Sequence, residues 1–206
     1  MNKEWLTKLA SDIEAKHGAI IRDRIFGNIK NLPEDDTAIC SFFHKLVTEM
    51  DELDDREFLT SVMAENCPCG HRDFEVIIKK TYDESNTLEE FAERLDRGNL
   101  IEDLVSLDGN ILTLTKHPFE KYGEHKHSGL FTKGCHCELA SHAKEPISST
   151  FCHCCTVGFY GKMFKNALGV DVKVEFIDSV IIGGKGCTAV IHLPLKQSNE
   201  EGDEHE

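Results

Sequence analysis

The chain has 206 residues, 40% of them hydrophobic and 29% charged, and a formal net charge of −14. That length can bury a core without help from disulfides, and the composition is ordinary for a globular chain. The acidic balance repels phosphate backbones, so nucleic-acid binding is disfavoured as a main role.

The opening Met1-Asn2-Lys3-Glu4-Trp5-Leu6 carries charges with no apolar run behind it, and no stretch has the length of a membrane span. A cytoplasmic, reducing location without a membrane partner is the expectation. Nine cysteines in such a compartment point to metal or redox chemistry in place of disulfides.

Apolar spacing predicts helices through the first half. Trp5, Leu6, Leu9 and Ile13 share one face of a helix ending near Gly18. Ile20, Ile21, Ile25 and Ile29 form a second stripe, stopped before Pro33. Cys40, Phe43, Leu46, Val47 and Met50 form a third, and Phe58, Leu59, Val62 and Met63 a fourth. Cys67-Pro68-Cys69-Gly70-His71 interrupts the pattern, which resumes with Phe74, Ile77, Ile78 and Tyr82. Thr87-Leu88-Glu89-Glu90 resembles a capping box, and Gly98 ends the helix behind it.

The period then changes to two. Leu104–Leu107 and Ile111–Thr115 flank Asp108-Gly109-Asn110, a hairpin signal because the turn needs positive φ. Lys116 to Lys133 reads as a loop holding His117, His125 and His127 among lysines, the one locally positive stretch and a candidate lid over an anion. Cys155 to Leu168 reads as a helix with Gly169 as its stop. Val170, Val172, Val174 and Phe176 alternate as a strand. After Gly183-Gly184-Lys185-Gly186 the chain returns through Cys187, Ala189, Ile191 and Leu193. Together these elements predict an α+β fold, an N-terminal helical bundle packed on a C-terminal antiparallel sheet of two hairpins with a crossing helix. The expected division is a helical region 1–97, an α+β region 98–195 with the cysteine cluster, and an acidic tail 196–206.

Seven cysteines fall in three tight groups: Cys67-Pro68-Cys69, Cys135-His136-Cys137 and Cys152-His153-Cys154-Cys155. Two thiolates two residues apart on an extended or turn backbone reach one ion, and zinc wants four such soft donors. A short loop containing Pro146 separates the second group from the third, so Cys135, Cys137, Cys152 and Cys154 are the expected zinc ligands. Cys67, Cys69 and His71 form a reserve set. Cys40 and Cys187 sit on apolar stripes and read as core thiols, and Cys155 as core or pocket wall. A dithiol switch is the alternative, since a thiol at a helix N-terminus has its pKa lowered.

The stretch Cys152-His153-Cys154-Cys155-x-x-Gly158-Phe159-Tyr160, a helix closing at Leu168-Gly169, Val172-Lys173-Val174-Glu175 and a Gly-rich turn with Cys187 resemble the C-terminal part of 4-vinyl-reductase-like domains, the small-molecule or hydrocarbon-binding family. The paired Cys-x-Cys groups are also similar to Cys-rich proteins grouped with L-2-amino-thiazoline-4-carboxylic acid hydrolases. The resemblance implies a pocket between helix and sheet, with Cys155, Phe159, Tyr160, Met163 and Phe176 as its wall, and zinc held by cysteines in some members. The expected function is therefore a zinc-containing small-molecule-binding or sensor protein. The alternatives are a zinc-dependent hydrolase of a small amide or thiazoline-like substrate, with His153 or Glu138 as base, and a thiol redox sensor. A small-molecule ligand is the expected partner, with a homodimer left open.

Overall fold

The computed structural model describes residues 3–27, 36–66, 72–97, 103–116, 149–179, 182, 184 and 186–196. The fold is α+β, with helices gathered in the first half and an antiparallel sheet in the second. The helices are α1 (Lys3–His17), α2 (Ala19–Phe26), α3 (Asp36–Asp51), α4 (Arg56–Asn66), α5 (Arg72–Asp83), α6 (Leu88–Arg97) and α7 (Ser149–Leu168). The strands are β1 (Asp103–Asp108), β2 (Ile111–Lys116), β3 (Lys173–Asp178) and β4 (Cys187–His192), in the order β1-β2-β4-β3. Two hairpins thus meet through the antiparallel β2–β4 pair.

Local chemistry sets most boundaries. Gly18, at φ 86, closes α1 through its N–H to the Glu14 carbonyl. Thr87 caps α6, its Oγ1 accepting from the Glu90 N–H at 3.1 Å. The Glu90 carboxylate reaches back to the Asn86 N–H at 2.7 Å, one residue earlier than the usual reciprocal bond. Gly109, at φ 59, turns the first hairpin, and Asp108 pairs with Ile111 across it. Asp55 caps α4, accepting from the Phe58 N–H at 3.1 Å.

Two expectations shift. The isoleucine stripe of the second helix does not face the core as a unit: Ile20 is 84% exposed while Ile25 is 1% exposed. The helix stops at Phe26 because Gly27 takes positive φ, and Ile29 lies outside the described residues. The strand read from Val170 starts at Lys173, with Val170 exposed beyond the Gly169 stop. The acidic tail and the histidine-rich stretch after Lys116 lie outside the described residues, apart from Lys196.

The core has two parts, and α7 belongs to both. The first joins Leu6, Leu9, Ile13, Leu46, Met50, Leu59 and Met63 from the helical half, with Cys154 buried in it and Cys152 and Cys155 packed against it. The second joins α5, α6 and the sheet through Phe91, Leu112, Leu114 and Ile191, with Tyr160, Met163, Phe164 and Ala167 from α7. Burying each such large apolar side chain contributes roughly 1.5–3 kcal/mol.

Helices α4 and α7 run side by side in the same direction. Cys154 Sγ donates to the Arg56 carbonyl at 3.7 Å, and Lys162 pairs with Glu65 at 2.8 Å two turns further along. Between them the backbones touch at Gly158, where a Cβ would stand 2.4 Å from the Thr60 carbonyl oxygen. Only a residue without a side chain fits there.

Candidate functional site

Helix α7 begins at Ser149, six residues before the expected Cys155. This change decides the geometry of the cysteine group. On an extended backbone Cys152 and Cys154 would share a side, whereas on a helix they stand about 200° apart. Cys152 and Cys155, three apart, share a face, and they form a Cys-x-x-Cys spacing on that face.

The nearest groups to each thiol differ, although all three pack in or against the helical core. Cys154 is 1% exposed and points into the helical core beside Arg56 and Thr60 of α4. Cys152 lies within electrostatic reach of Cys155, of Cys187 at the start of β4, and of Asp51 at the end of α3, with the Ser179 hydroxyl beside it. Cys187 is half-exposed. Its register partner is Lys116, which ends β2, and that pair lies on the sheet face of Leu114 and Ala189, toward α7. The Lys116 ammonium sits 5.3 Å from the centre of the Phe159 ring and 5.8 Å from that of Tyr160. His153 packs edge-on to Phe176 of β3 at 6.0 Å. The closeness of β2 and β4 here depends on Gly186, where a Cβ would stand 2.8 Å from the Lys116 carbonyl oxygen.

Burial dominates the electrostatics. It pushes the Cys152 thiol up to about 12, with the neighbouring thiols and Asp51 adding to the rise. Ser179 partly offsets it by proximity, although its buried hydroxyl makes no hydrogen bond within ordinary limits among the described residues. Burial also raises Cys154, against the smaller opposing effects of Thr60 and Arg56. The lowering at a helix N-terminus expected for Cys154 is absent. Cys152 is the fourth residue of α7 and Cys154 the sixth, so desolvation outweighs the helix dipole, whose effect fades within the first turn. Burial, then the Arg56 charge, lowers His153.

The other expected site residues divide clearly. Cys67, Cys69, His71, Cys135, Cys137 and the alternative base Glu138 lie outside the described residues. Tyr160 and Met163 are buried in the sheet-side core, while Phe159 and Phe176 are half-buried at its edge. A cleft of about 420 Å³ lies elsewhere, between α1 and α4, lined by Lys8, Asp12, Lys16, Phe58, Val62 and Glu65. Among the described residues, no three His, Cys, Asp or Glu side chains are disposed to hold one metal ion. No described helix is long and apolar enough to cross a membrane.

Cys187, expected as a core thiol, is half-exposed at the start of β4. Alternation puts it on the inward sheet face, with Ala189 and Ile191. Strand ends, however, lie at the rim, where an inward side chain meets whatever the crossing helix presents.

No family model matches the chain, and no curated protein matches it. One solved structure is similar: a trafficking protein particle complex subunit 3 from Naegleria fowleri covalently bound to palmitic acid. It is 11% identical, the match covers 79% of this chain and 98% of that one, and the TM-score is 0.36. That degree of similarity says nothing about the activity of this chain.

Proposed function

We propose that this chain is a thiol-dependent metal-binding protein of the reducing cytoplasm, with zinc as its ion and the site at the head of α7. The observation that supports this reading is that Cys152 and Cys155 share one face of α7, with Cys187 of β4 within electrostatic reach of Cys152. Thiolates are zinc's preferred soft donors. Cys152 and Cys155 offer two of the four donors, and Cys135 and Cys137, which the sequence brings ahead of α7, would complete the set. The fit is therefore in the chemistry of the donors.

A thiol kept protonated by burial becomes a ligand only when a cation replaces its proton. Zinc, when bound, would supply the positive charge that keeps such sulfurs ionised in a low-dielectric setting. Closed by four thiolates, the ion is structural, tying α7 to the chain that precedes it. Ligand binding would then fall to the half-buried Phe159 and Phe176 beside it, as in the small-molecule-binding family that the sequence resembles.

Elemental analysis of the full chain, purified under reducing conditions, tests the reading. About one zinc per chain is expected for a closed four-donor site, with a near-ultraviolet thiolate band after cobalt exchange. Cys152→Ser and Cys155→Ser should each lose the ion and lower Tm, while Cys40→Ser should keep it. Metal-free protein whose Tm ignores chelator overturns the proposal.

A further inference from the structure

We infer that Cys187 is a redox-modification site, which oxidation by a peroxide joins to Cys152 in a disulfide tying the head of α7 to β4. This goes beyond the metal reading and does not depend on it.

Placement carries the inference. Cys187 faces α7 from the sheet, because its register partner Lys116 and its strand neighbour Ala189 do so. Two independent ring contacts bracket the level at which helix and strand meet. His153 touches Phe176, the register partner of Ala189, and Lys116 lies over Phe159. Cys152 and Cys155 belong to this same stretch of α7. Cys187, the thiol that meets the peroxide first, is half-exposed, so a small oxidant reaches it.

The competing partners of Cys152 fit less well. Residues three apart on a helix hold their Cβ atoms about 5–6 Å apart. A disulfide needs roughly 3.5–4.5 Å. A Cys152–Cys155 bond would therefore distort α7, whereas Cys187 stands on a separate element, at the end of the β3–β4 connection. Cys154 is turned into the helical core.

The chemistry balances. The Cys187 sulfur attacks one peroxide oxygen, the O–O bond breaks, and the departing hydroxide takes the thiol proton to leave as water. The Cys152 sulfur then attacks the sulfenic sulfur of Cys187. The S–S bond forms, the S–O bond breaks, and the oxygen leaves with the Cys152 proton as a second water. Two sulfurs lose two electrons, and these reduce one hydrogen peroxide to two waters.

The test treats the full chain with hydrogen peroxide and maps it by non-reducing peptide mass spectrometry. The bond lowers the mass of the linked peptides by about 2 Da, and iodoacetamide labelling of Cys187 should fall roughly tenfold. Dithiothreitol should restore both. In Cys187→Ser the linked peptide should vanish, and the labelling of Cys187 in unmutated protein gives the answer if that variant folds poorly. Undiminished labelling of Cys187, or Cys152 joined to Cys155, overturns the inference. Zinc content is measured separately on reduced protein, so metal-free protein that still forms the bond refutes only the metal reading.

Discussion

The two halves of α7 solve the same packing problem with opposite materials. Its first three turns meet the helical half through Cys152, Cys154, Cys155 and Gly158. Its last turns meet the sheet through Tyr160, Met163, Phe164 and Ala167. Against a sheet, where stacked elements stand about 10 Å apart, long side chains fill the gap. Against α4, whose backbone comes into contact at Gly158, only small side chains fit. Small polarisable thiols satisfy that packing. The aromatic end buries the larger side chains, and the cysteine end holds the thiols.

The largest expected effect tests the aromatic end. Phe164 is fully buried, and Phe164→Ala should lower unfolding free energy by about 3–5 kcal/mol in urea titrations. Cys154→Ala should cost clearly less. Equal losses would break the comparison, because they would give the thiol end as large a share of the stability.

Next comes the backbone contact. A methyl group at Gly158 must displace the Thr60 carbonyl and the Ala64 N–H. Gly158→Ala should therefore cost about 1–3 kcal/mol, although alanine is the better helix former. A stabilised variant, measured in the same titration, would show that α4 and α7 are further apart than described.

The smallest effect near neutrality is the pH dependence of Cys152. Its thiol lies at about 12 when folded and near 9.0 when free. The folded state therefore holds this proton more tightly. The associated stability is fully present below pH 9 and is lost as pH rises from about 9 toward 12. Urea midpoints at pH 7 and pH 10 should fall further in the unmutated chain than in Cys152→Ala. Identical falls would mean that the thiol is solvated.

Much of the fold was legible because the signals were local. Leu6, Leu9 and Ile13 predict their buried face by spacing alone, Gly109 predicts the first hairpin, and the Thr87 cap marks the start of α6. Ile20 misled because a stripe of isoleucines does not reveal which side of a short helix meets another element.

The sequence by itself determined that thiols are concentrated ahead of and within α7, and that strands of opposite direction follow it. Tertiary structure decided which thiols meet. Extending α7 back to Ser149 turned a Cys-x-Cys pair into residues about 200° apart and put Cys152 on one face with Cys155. Docking that helix on the strand ends brought in Cys187, 35 residues beyond Cys152 in the chain (187 minus 152). Spacing along a chain fixes neighbours only once the backbone period is known, and contacts between elements depend on packing that no local pattern records.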